Sequence, residues 1–353
     1  MKRQQHLFLY IIFIFSVLLF SCKENNSTLP ELSLKEMDEY ILKTTSILDT
    51  AKVGEIDGTF PRESKIALQK ALIELQIGKS KANAGEFILQ YEVNNYCIAA
   101  SKAIQDFFDA YQQTLPLGTP AELRVFGIDQ KGYIDFGTSP DYVGSKSFTV
   151  ETWLKYNSGF YEFAIGAFIG TFNNAAQPIE GWMINFMGQN LRATIGMGPH
   201  KVRLLEWGSL YPTNYGEWNH IAMIYDETLS EEQLKFYING KVFFSKTNDI
   251  VDESGVIQSY QPNIVDTRMW AFQQATDHSR CITGYIKKLR LWNSAKTGIE
   301  INSLMTTDVT GNENGLLCAW DFTETPENPE NIPDKTGGHS AKLVGKYKWY
   351  PIK

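Results

Sequence analysis

The chain has 353 residues, a formal net charge of −7, and 43% hydrophobic, 13% aromatic and 21% charged residues. This marks a globular chain long enough for two domains. No long basic run follows the first residues, so nucleic acid is excluded as an expected partner.

Lys2 and Arg3 form a positive start, and Leu7–Phe20 is almost wholly apolar. That run is too short for a comfortable transmembrane helix and reads as a signal segment over residues 1–22. Its end, Leu18-Leu19-Phe20-Ser21-Cys22, resembles a bacterial lipobox, with a small residue directly before the Cys. The resemblance implies cleavage before Cys22, diacylglycerol on its sulfur and acylation of the new amine. Several acyl chains make a firm membrane anchor, since each buried CH₂ contributes about 0.8 kcal/mol. Lys23-Glu24 is similar to signals that send lipoproteins to the cell surface in some Gram-negative groups. An outer-membrane protein displayed at the cell surface is therefore expected, with an ordinary secretory signal as the other reading. Residues 23–32 form a polar tether.

From Ser33 the pattern turns helical. Met37, Tyr40, Ile41, Thr44, Ile47, Leu48 and Ala51 follow i, i+3, i+4 spacing, with Ser33 as N-cap and Glu36 completing a capping box. Gly54–Pro61 breaks this helix, and Ile66, Leu68, Ala71, Leu72 and Leu75 carry a second. A third runs from about Gly85 to Gln113, so residues 33–114 are predicted to form an all-α three-helix bundle. Ala51, Gly54, Gly58, Phe60-Pro61, Leu68 and Ala71 resemble the FIVAR-type helical modules of bacterial surface proteins. The resemblance implies a spacer or a sugar-binding module, and a simple stalk is the plainer expectation. Pro116, Gly118 and Pro120 mark a linker over 115–123.

Beyond it the period changes to two. Strands are predicted at Tyr133–Phe136, Phe148–Tyr156, Phe163–Phe172, Trp182–Met187, Leu191–Met197, Trp218–Asp226, Leu234–Ile238, Lys241–Ser245, Ile282–Trp292 and Leu316–Asp321. Asn239-Gly240 between apolar runs signals a type I′ hairpin, pairing Ile238 with Lys241 and Phe236 with Phe243. Trp218-Asn219-His220-Ile221-Ala222, Tyr225-Asp226 and Phe236-Tyr237-Ile238-Asn239-Gly240-Lys241 resemble the laminin-G-like branch of the concanavalin A-like jelly rolls. Tyr133–Gly137, Ser147–Trp153, Gly284–Asn293 with Glu300-Ile301, and Leu317–Phe322 with Asp334–Gly337 are similar to further strands and turns of that family. The family's acidic pair after Gly284 is Lys287-Lys288 here. The resemblance implies an all-β jelly-roll sandwich over 124–353. Cys318 falls in a predicted strand and Cys281 directly before one, and they are the expected disulfide pair, leaving Cys97 unpaired. No C-x-x-C spacing supports a zinc site.

Some proteins with this fold are glycoside hydrolases, which need two suitably placed carboxyl groups. Neither E-x-D-x-x-E nor E-x-D-x-E occurs, and no G-x-S-x-G is present, so an enzyme is not expected. Sugar binding needs an exposed aromatic platform beside polar side chains. Alternation along Phe148–Lys155 puts Glu151 and Trp153 on the polar face, although Trp153 also suits packing. Trp207, Tyr211 and Tyr215 cluster between predicted strands, and Trp270 lies in a long connecting segment with Asp266, Arg268, Gln273, Gln274, Asp277 and His278. The expected ligand set is therefore Trp207, Tyr215, Trp270, Trp153 and Glu151. Relatives that bind calcium make Asp135, Asp266 and Asp321 conceivable ligands, with no spaced motif to select them. The expected function is non-catalytic glycan binding at the cell surface, with an envelope protein as the alternative partner.

Overall fold

The computed structural model describes residues 32–54, 58–87, 89–111, 115–127, 131–156, 166–173, 179–188, 190–197, 202–209, 216–264, 266–274 and 280–352. Cys22 and the rest of the segment before residue 32 lie outside them. Among the described residues no helix is long and apolar enough to cross a membrane.

The N-terminal part is the predicted bundle: α1 (Lys35–Thr50), α2 (Arg62–Asn83) and α3 (Gln90–Asp109). Met37, Leu75, Val93 and Cys97 form one packed layer, and Leu48, Leu68, Ile104 and Phe107 a second. Phe60 stacks on Phe107 with ring centroids 4.1 Å apart. A Cβ at Gly78 would lie 2.6 Å from the Tyr96 ring, so α2 and α3 approach closely there. Two helix starts differ from expectation. Ser33 does not cap α1; Leu34 occupies that position without a side-chain bond. Instead the Ser33 N–H donates to Gln90 Oε1 at 2.7 Å and Gln90 Nε2 donates to the Ser33 carbonyl at 3.0 Å. This tie sets the starts of α1 and α3 side by side. Helix α3 begins at Gln90 rather than near Gly85, where Glu92 accepts the Leu89 N–H at 2.9 Å.

Strands follow as β1 (Ala121–Phe126), β2 (Tyr133–Thr138), β3 (Ser147–Lys155), β4 (Gly166–Gly170), β5 (Trp182–Met187), β6 (Asn190–Met197), β7 (Val202–Ser209) and β8 (Asn219–Asp226). Then come β9 (Leu234–Ile238), β10 (Lys241–Lys246), β11 (Arg268–Ala271) and β12 (Thr283–Trp292). A short helix α4 (Gly298–Leu304) precedes β13 (Leu316–Asp321), β14 (Ile332–Pro333), β15 (Ser340–Val344) and β16 (Tyr347–Pro351). The first antiparallel sheet runs β10-β9-β8-β3-β12-β1-β16, with β13 also paired to β12. The second runs β14-β15-β2-β11-β4-β5-β6-β7. Alternation along each strand turns Phe148, Val150, Trp182, Phe186, Phe236 and Trp320 into one core between the sheets. Two of the large buried aromatics have their polar atoms bonded: Trp182 Nε1 donates to the Tyr142 carbonyl at 2.8 Å, and Tyr142 OH to the Phe136 carbonyl at 3.0 Å.

Several expectations are corrected. Strand β1 opens at Ala121, inside the predicted linker. Ala121, Leu123 and Val125 enter the core while Glu122 and Arg124 face outward. The rest of the linker is pinned by Gly118 N–H to the Thr325 carbonyl at 2.9 Å. The hairpin turn has φ of +50° at Asn239 and +76° at Gly240, as a type I′ turn requires. Ile238 pairs with Lys241, but a bulge after Val242 moves Phe244, not Phe243, opposite Phe236. Cys281 and Cys318 are not joined by a disulfide. Cys318 pairs with Leu291 near the end of β12, whereas Cys281 precedes the start of that strand at Thr283. Extended chain advances about 3.3 Å per residue, so residues 283 and 291 lie roughly 26 Å apart. A disulfide tolerates about 7 Å between Cα atoms.

The bundle docks on the outer face of the first sheet. The Asp109 carboxylate receives Arg124 Nη1 and the Tyr350 hydroxyl, and Lys348 Nζ donates to the Asp109 carbonyl at 2.6 Å. Gln105 Nε2 donates to Tyr285 OH at 2.8 Å.

Candidate functional site

On the second sheet, β2 and β11 pair so that Trp270 lies opposite Asp135 and Arg268 opposite Thr138, with a bulge between. Ile134, Phe136, Met269 and Ala271 point into the core. Period two therefore turns Tyr133, Asp135, Arg268 and Trp270 to the outer face together. The Trp270 and Tyr133 rings stack with centroids 5.2 Å apart and planes 30° apart. Beside them Arg268 Nη1 donates to Asp135 Oδ2 at 2.7 Å, and the Gly137 N–H donates to Asp135 Oδ1 at 2.9 Å. Gly137 has φ +71°, which lets the backbone turn back on this carboxylate. Both Asp135 oxygens are thus oriented by fixed donors. The Arg268 guanidinium carbon lies 5.9 Å from the Trp270 ring centroid.

Asp135 and Arg268 also form one wall of a polar cleft of about 640 Å³, whose lining includes Thr138, Asn331, His339 and Lys342. That volume suits a small ligand. Lys342 stands opposite Asp135 on β15 and pairs with the exposed Glu330. His339 Nε2 lies 3.0 Å from Asp141 Oδ2 and 3.2 Å from Ser139 Oγ, and its Nδ1 lies 3.6 Å from Asp334 Oδ2. Burial pushes the Asp334 pKa up, but bonds donated by Thr336, His339 and Ala319 outweigh it and hold the group below its ordinary range. This Ser–His–Asp contact set builds a turn. Ser139 Oγ accepts the Asp141 N–H at 3.2 Å, and His339 Nε2 is nearer the Asp141 carboxylate than the hydroxyl. Asp334 is already occupied by its own loop, its Oδ2 accepting from the Thr336 N–H and hydroxyl.

The expected ligand residues divide between the two faces of the sandwich. Trp270 belongs to β11 rather than to a connecting loop, and it meets Arg268 as anticipated. Gln274 is buried, and Asp277 and His278 lie outside the described residues. Trp207 sits in β7, in register with Arg192, so it too is on a strand and not between strands. The Trp207 side chain, Tyr211 and Tyr215 lie outside the described residues. Trp153 and Glu151 are on the opposite sheet. Glu151 is 1% exposed and is no ligand platform: His220, Arg290 and Trp292 surround its carboxylate. Tyr133 was missed as a platform residue, although Tyr133-Ile134-Asp135-Phe136 alternates clearly. The proposed calcium ligands have other partners. Asp135 takes Arg268, Asp266 Oδ1 takes the Arg268 N–H at 3.2 Å, and Asp321 pairs with Lys335 at 2.6 Å. Among the described residues, no three His, Cys, Asp or Glu side chains converge as a metal site.

Residues 129–302 match the family model of the concanavalin A-like lectin/glucanases superfamily. The β-domain is a concanavalin A-like jelly roll. Curated proteins give no sequence match. Among solved structures, the chain is similar to a candidate carbohydrate-binding protein of Bacteroides ovatus, at 19% identity and TM-score 0.46 over 69% of this chain. The match spans 63% of the Bacteroides chain. A pentraxin of Limulus polyphemus is 13% identical with TM-score 0.40, over 66% of this chain and 95% of its own. A carbohydrate-binding module of a Ruminococcus gnavus sialidase is 10% identical with TM-score 0.36, over 54% and 95%. Likenesses this distant say nothing about ligand. The jelly roll itself rests on the family match and on the two antiparallel sheets.

Proposed function

We propose that the protein binds carbohydrate without cleaving it, through the outer face of its second sheet, while held at the cell surface by lipid on Cys22. The supporting observation is the Trp270–Tyr133 stack beside the Asp135–Arg268 pair at the mouth of the cleft. A sugar ring offers an apolar C–H face to an aromatic and hydroxyls to oriented charged groups, and this surface presents both. The same carboxylate is committed to Arg268 and Gly137, which suits holding a hydroxyl better than acid–base catalysis.

Calorimetric titration and a glycan array on the soluble chain test this reading. Binding of at least one oligosaccharide is expected, weakened at least tenfold in Trp270→Ala and in Arg268→Ala. Failure to bind any glycan, together with retention of an envelope protein in pull-downs, would replace it with the protein-binding alternative. Sugar release by the wild-type protein would overturn the non-catalytic part. For the anchor, Cys22→Ala is expected to abolish palmitate labelling and release the protein from membranes.

A further inference from the structure

Among the described residues, the outer face of the first sheet is covered at both ends and open in the middle. At one end, α4 and the segment after it lie over Arg290, whose guanidinium donates to the Leu304 and Thr307 carbonyls at 2.9 and 2.8 Å. At the other end, α3 lies over Arg124, Tyr285 and Tyr350 through Asp109 and Gln105. Between these covers Trp153, Trp218, Lys155 and Lys287 remain partly exposed.

The four side chains interleave. Lys287 Nζ lies 4.5 Å from the Trp153 ring centroid and 4.6 Å from that of Trp218. Lys155 Nζ lies 4.9 Å from Trp218 and 4.2 Å from Tyr285. Glu122 accepts from Lys155 and, at 2.6 Å, from Trp218 Nε1, which fixes the indole. Lys287 differs from Lys155. Among the described residues no carboxylate lies within ion-pair distance of its ammonium; partial burial lowers its pKa, and the charges of Lys288 and Lys155 add to this against the opposing pull of Glu122. A partly dehydrated cation held between two indole faces gains most from an added anion. Through Lys155 and Tyr285 the groove continues into a cleft of about 190 Å³ under the bundle, where Lys43 and Ser101 form the far wall.

We infer that this groove is a second binding site, separate from the Trp270 face, and that its ligand is a carboxylate-bearing saccharide such as a hexuronate or a sialoside. The sugar ring stacks on Trp153 or Trp218, and its carboxylate receives Lys287. Neutral sugars lack the charge that Lys287 would neutralise.

The test is calorimetry of the full chain with tetragalacturonate, its methyl ester, sialyllactose and lactose. At least one acidic sugar is expected to bind, with affinity falling as salt rises, and the ester and lactose are expected to bind at least tenfold more weakly. Lys287→Met keeps the aliphatic stem against the indoles and should weaken acidic-sugar binding at least tenfold, whereas Lys287→Arg should retain it. Trp270→Ala should leave it unchanged, which separates this site from the one on the second sheet. The inference is overturned if neither acidic sugar binds, if ester and acid bind alike, or if Lys287→Met binds as the wild type does.

Discussion

Glu151 and His220 meet at 2.8 Å on the outer face of the first sheet, with both side chains 1% exposed. Arg290 Nη1 and Trp292 Nε1 donate to the other Glu151 oxygen at 3.1 and 3.2 Å. A buried carboxylate with three partners organises three neighbouring strands, β3, β8 and β12. Removing it strands the Arg290 charge beneath α4. Glu151→Ala should therefore lower unfolding stability by about 3–5 kcal/mol. Urea denaturation measures this, and a loss under about 1 kcal/mol would show that the cluster contributes little.

The bundle is held to the sandwich by a comparably buried pair. Asp109 and Arg124 have side chains 10% and 8% exposed. Asp109→Ala leaves Arg124 without its carboxylate and removes the acceptor for Tyr350. The expected result is faster protease cleavage near residues 110–120, with the isolated sandwich still folded. Unchanged cleavage would mean that the remaining contacts of Gln105 and Lys348 suffice to dock the bundle.

Acid should loosen the turn that forms part of the polar cleft. The Asp334 pKa is depressed in the folded chain, so its bonds add stability that is fully present above the unfolded value, about 3.9. That contribution disappears as pH falls through the lower folded value. In Asp334→Asn the group cannot titrate. Thermal melting of the two proteins should therefore differ most near neutral pH and converge as pH drops below about 4. Parallel curves would show that Asp334 does not couple to protons.

The thiols offer a direct check on the corrected disulfide. After denaturation without reductant, Cys97, Cys281 and Cys318 should all be alkylated and read out by mass. Burial, with some help from the Glu36 charge, pushes the Cys97 thiol up to about 12. It should stay unlabelled in the native protein at neutral pH. A mass two hydrogens short in the unlabelled chain would restore a disulfide.

Much of the fold was legible because its signals are local. Alternation found most strands, and Asn239-Gly240 set the hairpin because a two-residue type I′ turn forces the first pair. It could not foresee the bulge that brings Phe244 opposite Phe236, since a bulge answers to packing against the other sheet. Strand β1 alternates as clearly as its neighbours, yet Pro116, Gly118 and Pro120 made its first residues look like linker. Helical spacing found all three helices of the bundle, but Ser33 is taken by Gln90, a partner distant in sequence.

The candidate sites divide along the same line. The sequence alone determined that Glu151 shares a face with Trp153, because side-chain direction in a strand follows a period of two; that Arg268 and Trp270 share another came from the structure, which makes 268–271 a strand where the sequence read a connecting segment. Only the tertiary structure decided which of these faces meets solvent. The cover over Glu151 is α4 with its following segment, and Asp135 reaches Arg268 only through the pairing of β2 with β11. Such cover and pairing come from chain segments far apart in sequence, and their placement depends on global packing rather than local pattern.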